Sequence, residues 1–507
     1  MVQNACVAVK PGAGSLWYES LAGAGRAVRG ERGGSHMATS ARVRGSGLDG
    51  YFRIAERGST VRTEVLAGLT TFMTMAYILF LNPLILSGPD RNGDTLAPTA
   101  VLTVTALAAG ITTIAMGAYA NYPFAIATGL GLNAVVAFQL VGGNQLTWPE
   151  AMGVVVTEGI IILILVLTKF RQAVMEAVPL PLKQAIAVGI GLFITIIGLV
   201  DAGFVTSTTI PVPPLQLGTG GELQGWPVAV FVIGLLITIF LFIRRTRGAL
   251  LVGILSTTVV AVIVNELFLD GEGFDGKAVI GSPVDLPSGS DFGLIGDFSF
   301  GFFAEMGAIA AVLAIFTIML SDFFDTMGTA VGLGREAGLL DEEGRLPDVD
   351  KVLVVDSAAA AIGGAFSASS NTTYIESASG IAEGGRTGLT AVVVGGLFLL
   401  SILFSPLAEI IPLEAAEPAL VVVGFLMMTA VRDIPWDDFD LALPAFLTIV
   451  LMPFTYSITN GIGAGFIAYV FVKLARGRGN DVAPMMWVAA GAFVVYFAIF
   501  YVRDILT

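Results

Sequence analysis

Two stretches decide how this chain folds. One is Ser367-Ala368-Ser369-Ser370-Asn371-Thr372-Thr373-Tyr374-Ile375-Glu376. The other is Asn121-Tyr122-Pro123-Phe124 with Ala127-Thr128-Gly129-Leu130-Gly131-Leu132-Asn133. Each is polar, or broken by proline and glycine, yet each sits among recurrent apolar runs about 17–25 residues long, the length that crosses a bilayer as helix. Lys351 and Arg386 flank the first stretch and belong on one side of the membrane, so the chain between them goes in and comes back. Its β-type residues then lead into a short, glycine-broken helix. Interrupted segments at corresponding places in two halves point to an inverted-repeat transporter. Irregular backbone is tolerated at membrane depth only where it lines a protein cavity, and the half-helix N-termini then aim free N–H groups and a positive dipole end at a ligand. A second reading, a polar loop outside the membrane over 367–387, stays open at this level.

The composition agrees. Of 507 residues, 55% are hydrophobic and 13% charged, with a mean hydropathy of +0.84. Soluble domains carry about 25% charged residues, so a soluble enzyme is excluded. The alternating ten-residue segments of a β-barrel are absent. Cys6 is the lone cysteine, which rules out an intramolecular disulfide or a cysteine-bound metal cluster, and no metal site or cofactor is expected. His36, the lone histidine, lies in the hydrophilic start, so no histidine relay operates within the membrane. A net charge of −14 argues against nucleic-acid binding. Residues 1–50, rich in Gly, Arg and Ser, have no signal-peptide core and are expected to be disordered. Gly34-Ser35-His36-Met37 within them reads as a cloning remnant or a true start.

Hydropathy predicts spans at 62–86, 98–120, 123–141, 150–168, 180–200, 227–243, 248–268, 302–330, 351–366, 373–386, 388–411, 417–431, 439–457 and 459–475, with a further apolar stretch at 485–502. Fourteen crossings place Lys169, Arg171, Lys183, Arg244, Arg245, Arg247, Arg335, Arg345, Lys351, Arg386, Arg432, Lys473, Arg476 and Arg478 on one side. Only Arg91 and Lys277 fall on the other, where the acidic loop 269–300 also lies. That asymmetry makes the N-terminus cytoplasmic. Two repeats follow: residues 51–268 and 301–475, with 476–507 as a C-terminal segment.

Acids inside spans are costly and usually functional. Asp322 and Asp325 are three residues apart, on one helical face, where a carboxyl can hold and release a proton. Alternatively the span ends at 320 and both face water. Glu376 stands at the start of the second half-helix. Glu158 and Asp356 read as satisfied interhelical contacts, and Glu383 with Arg386 as a structural pair. Phe324 and Tyr374 are suited to stacking on a flat ring or to packing.

With these residues on the page the chain resembles a known family. Thr60-Val61-Arg62-Thr63-Glu64, Ala67-Gly68-Leu69-Thr70-Thr71-Phe72 and Met75-Ala76-Tyr77-Ile78-Leu79 are similar to the opening of the AzgA-like purine permeases, nucleobase:cation symporters related to the uracil and xanthine/urate permeases. Asn121-Tyr122-Pro123-Phe124, Gly129-Leu130-Gly131-Leu132-Asn133-Ala134, Asp322-Phe323-Phe324-Asp325-Thr326-Met327-Gly328-Thr329, Thr372-Thr373-Tyr374-Ile375-Glu376-Ser377 and Gly380-Ile381-Ala382-Glu383-Gly384-Gly385-Arg386-Thr387-Gly388 match too. The likeness covers roughly residues 50–500; Thr128 departs from an expected proline, and the N-terminal extension has no counterpart.

The resemblance implies an all-α multi-spanning membrane protein of about 14 segments in two inverted seven-segment repeats, with short strands in the third and tenth. Core domains (62–168 and 302–411) would move against gate domains (180–268 and 417–475), the latter often forming a homodimer. It implies proton-coupled uptake of hypoxanthine, guanine and adenine across the cytoplasmic membrane, with Glu376 and Asp322 contacting the base, Asn133 lining the site and Asp325 supporting or sharing the proton. The chemistry is consistent with this. A Glu376 carboxylate accepts from purine N–H groups, while backbone amides of Thr373, Tyr374 and Ile375, and of Gly131, Leu132 and Asn133, can donate to ring acceptors. With no membrane histidine, Asp322, Asp325 and Glu376 are the side chains suited to proton coupling. A carrier of uracil, xanthine or a small anion on the same fold is the main rival. A channel would want a repeated carbonyl filter, and an intramembrane metalloprotease would want the ligands that one histidine cannot supply.

Overall fold

A computed structural model describes residues 47–143, 146–168, 178–208, 214–279, 281–341 and 346–506. The expected disorder of 1–46, and the charges Lys169, Arg171 and Arg345, lie outside them. A short helix, Leu48–Phe52, begins just before the N-terminal boundary expected at 50.

The first half contains α1 (Val61–Met75), α2 (Ile78–Ile85), α3 (Pro98–Ala115, prolonged in π-helical form over Met116–Ala120), β1 (Ile126–Thr128), α4 (Leu130–Ala134, prolonged over Val135–Gly143), α5 (Trp148–Leu167), α6 (Leu180–Asp201), a small hairpin of β2 (Val205–Ser207) and β3 (Leu215–Leu217), α7 (Trp226–Ile243) and α8 (Ala249–Phe268). The second half contains α9 (Ala308–Glu336), α10 (Val349–Ala365), β4 (Asn371–Thr373), α11 (Ser377–Ala382), α12 (Gly388–Ser401), α13 (Leu413–Met428), α14 (Phe439–Phe454), α15 (Ile458–Ala475) and α16 (Pro484–Leu506). Eight helical runs among the described residues are long and apolar enough to cross a membrane, and five shorter apolar helices accompany them. The stretch at 373–386, counted among the spans but expected to run from β-type residues into a short glycine-broken helix, is a strand end, a six-residue helix and a turn. The β2–β3 hairpin, paired Val205 to Leu217, has no precedent in the hydropathy pattern.

The helices pack in matched sets. α5 runs along α10 and α3 along α12; α6 packs on α13 and α14, α7 on α13 and α8, and α14 on α15. α1 also meets α12, and α9 meets α5. Small residues allow these approaches, since lipid gives no hydrophobic drive between helices and close backbone packing must hold them. Along α3 and α12 the contacts repeat every seven residues: a Cβ on Gly395 would lie 2.6 Å from the Gly110 carbonyl oxygen, and one on Gly388 would lie 1.9 Å from that of Gly117. Gly388→Ala therefore forces the two helices apart and should cost about 3 kcal/mol. Gly396→Ala on the same helix meets open space and should leave the thermal unfolding midpoint in detergent unchanged. Equal midpoints for the two variants would refute close packing at Gly388.

Candidate functional site

The two broken stretches meet. β1 and β4 pair antiparallel, with Ile126 opposite Thr373, Ala127 opposite Thr372 and Thr128 opposite Asn371. Residues 367–374 are all less than a tenth exposed, so this part of the stretch is not a solvated loop. A strand buried this deeply needs partners for every backbone group, and side chains supply many of them. Thr113 Oγ1 accepts from the Ile126 amide at 2.9 Å and donates to its carbonyl at 2.8 Å. Ser377 Oγ accepts from the Ala125 amide at 3.0 Å, and the Tyr374 amide donates to the Ala125 carbonyl at 2.9 Å.

Asp356, on α10, anchors β4. Its Oδ1 accepts from the Thr373 amide (2.9 Å) and hydroxyl (2.7 Å), and its Oδ2 accepts from the Thr326 hydroxyl at 2.6 Å. Asp356 is thus a satisfied interhelical contact, as expected. Glu158, on α5, is less so: Ser370 Oγ lies 3.5 Å from Oε2, while Oε1 has no partner among the described residues. The expected Glu383–Arg386 pair does not form. Glu383 pairs with Arg247, and the Arg386 guanidinium donates to the Ile381 and Gly385 carbonyls, because the Gly384-Gly385 turn folds it back on its own chain.

A cavity of about 450 Å³ opens beside the strand pair. Gly131, Leu132, Ser321, Asp325 and Ile375 line one wall; Lys183, Ile186 and Ile190 of α6, with Met427, line the facing one. Asp325 and Ile375 are exposed to this space. Glu376, next along, is half-buried, and its Oε1 accepts from the Tyr77 hydroxyl at 2.5 Å. Asp325 and Tyr374 face the same group. α9 is continuous through 322–325 and Asp322 is buried, so the two acids do not both face water.

Several expected ligands stand behind that wall in this conformation. Asp322 is 1% exposed and does not line the cavity; the helical turn that brings Asp325 to the cavity aims Asp322 at α5 and α10. Asn133 is fully buried, its Nδ2 3.5 Å from Thr128 Oγ1 and its amide bonded to the Gly129 carbonyl. The Thr373 and Tyr374 amides are occupied by Asp356 and Ala125, and the Tyr374 hydroxyl donates to the Thr128 carbonyl. The Phe324 side chain lies outside the described residues. Gly131, Leu132 and Ile375 remain at the cavity, and the first-turn amides of α4 are not consumed by its helical ladder.

Sequence reasoning passed over Tyr77 and Lys183. Tyr77 sits at the break between α1 and α2, one hydroxyl in an apolar run, and that break was the available signal. Lys183 counted only as a marker of sidedness.

A family described as a permease family, covering the xanthine and uracil permeases, matches residues 62–464. The chain is 39% identical to the adenine permease AdeQ of Escherichia coli over 88% of this chain and 95% of that one. It is 38% identical to the guanine/hypoxanthine permease PbuG of Bacillus subtilis over 88% of this chain and 98% of that one. Among solved structures it is similar to the transmembrane domain of the cyanobacterial bicarbonate transporter BicA. That likeness has a TM-score of 0.57 at 18% identity, over 80% of this chain and 97% of the other, and it bears on the fold alone.

Proposed function

We propose, from the premise that this chain belongs to the xanthine/uracil permease family, that it takes up purine nucleobases (hypoxanthine, guanine or adenine) together with protons across the cytoplasmic membrane. It is a multi-pass membrane transporter, not an enzyme. The observation that supports the reading is the β1–β4 pair, which brings two half-helices to one cavity with Asp325 on its wall and the half-buried Glu376 next to the lining residue Ile375. Glu376 accepts from purine N–H groups. The amides of Gly131, Leu132 and Ile375 donate to ring nitrogens or O6. Asn133, Thr373 and Tyr374 hold the wall from behind. Asp322 and Asp325 carry the coupled proton with Glu376. Two acids at the ligand suit a neutral heterocycle better than a small anion.

The transport cycle is an elevator. Exchanging α1–α2 with α9, α3 with α10, β1–α4 with β4–α11, α5 with α12, α6 with α13, α7 with α14 and α8 with α15 maps the packing pairs above onto one another. That correspondence supports two inverted repeats. The strands and the helices around them form the moving core (62–168 and 302–411). α6–α8 and α13–α15 form the gate (180–268 and 417–475), through which a homodimer assembles within lipid. Leu180 and Lys183, at the start of α6, line the cavity; with the cationic side cytoplasmic, the cavity opens inward.

Competition against radiolabelled hypoxanthine uptake in cells tests this. Adenine and guanine should compete, uracil weakly, and uptake should rise as external pH falls. Uracil competing as well as guanine would overturn the purine assignment, and uptake indifferent to pH would overturn the proton coupling.

A further inference from the structure

Three carboxyls crowd behind the cavity and a fourth, Asp325, faces it, and they are not equivalent. Asp356 takes three donors, which is the environment of a stable carboxylate. Asp325 is exposed to the cavity. Asp322 and Glu158 have neither advantage. They are 1% and 0% exposed, and neither oxygen of Asp322 nor Oε1 of Glu158 has a hydrogen-bond partner among the described residues. The two stand on helices in contact, α5 and α9, and each faces the other. Among the described residues, the remaining groups facing Asp322 are Asp356, Asp325 and the Thr372 hydroxyl, and those facing Glu158 are Asp356 and the Ser370 hydroxyl. Every one is an acid or a hydroxyl.

Two unpaired carboxylates cannot share such a site, because both the desolvation cost and their repulsion go uncompensated. A single proton placed between them turns one acid into the donor the other lacks. We infer that Glu158 and Asp322 form a proton-binding pair on adjacent helices, and that Glu158 is the second half of the coupling site. The inference rests on the permease reading and relocates its proton, from the exposed side of α9 to its buried contact with α5. Ser370, just before β4, and Thr372, within it, face the pair, so proton occupancy bears on the strand that holds Ile375 at the cavity with Glu376 beside it. Loading and release require no other reactant: the proton enters from water on one side and leaves to water on the other.

The test uses the full chain, purified and reconstituted into liposomes, as wild type, Glu158→Gln and Asp322→Asn. Glu158→Gln should still exchange hypoxanthine between equal pools but lose accumulation driven by an imposed pH gradient. Accumulation in Glu158→Gln with the wild-type dependence on pH overturns the inference. Infrared spectroscopy supplies a readout that needs no substrate. A carboxylic-acid C=O band of the unliganded wild type should disappear in both variants; a band unchanged in both overturns the pair even where a variant transports nothing. Wild-type liposomes that fail to exchange hypoxanthine sink the nucleobase reading instead, and the infrared result then decides the proton site by itself.

Discussion

Glu376→Gln should weaken nucleobase binding about tenfold to a hundredfold, the loss expected when a charged acceptor worth roughly 1.5–3 kcal/mol is replaced by a neutral one. The substitution preserves the shape of the side chain. It removes the carboxylate that would accept from the N–H edge of a purine and leaves an amide whose N–H groups face ligand donors. Tyr77→Phe separates the two roles of the residue. Tyr77 donates to Glu376 Oε1, so its loss unlocks the carboxylate without discharging it, and binding should fall far less than in Glu376→Gln. Direct binding of labelled hypoxanthine to purified protein checks both. Wild-type affinity in Glu376→Gln would remove the residue from the pocket.

Asp356→Ala should be the most damaging single change to the fold of the site. Three donors converge on this carboxylate, all of them buried with Thr326 and Thr373. Truncation leaves them without an acceptor where water does not reach, at about 1–3 kcal/mol for each orphaned group. A net loss on the order of 3–5 kcal/mol follows, as for other broken buried charge contacts. Because the Thr373 amide is one of the three, the damage falls on β4 and on its register with β1. Thermal unfolding in detergent should show a large drop in midpoint, and surviving protein should transport nothing. A variant with wild-type stability would show that the strand pair stands without its anchor.

Much of this was legible in the primary structure because the bilayer permits few backbone solutions. Apolar runs long enough to cross can only be helices, and the polar, glycine-broken stretches at 121–133 and 367–376 can exist at depth only against protein. Asp322 and Asp325 were visible for the same reason. Their division of labour was not. Three residues along a helix differ by about 60° in direction, and hydropathy does not say which direction holds a cavity and which holds α5. Asn133, Thr373 and Tyr374 show a related limit. A motif names polar groups, but whether an amide or hydroxyl is free depends on acceptors as remote as Asp356 and Ala125. Tyr77 lies 299 residues from the carboxylate it binds, a separation over which no local pattern carries information.

Composition and span length alone determined that this is a helical membrane protein with two stretches of broken backbone, because burying unpaired backbone or charge in hydrocarbon costs more than any local preference can offset. Only the tertiary structure decided that the discontinuities pair as strands, that Asp325 rather than Asp322 meets the cavity, and that Glu158 completes the buried acid pair. Those outcomes depend on which groups remain unsatisfied once the helices have packed, a property of the assembled fold and of no segment by itself.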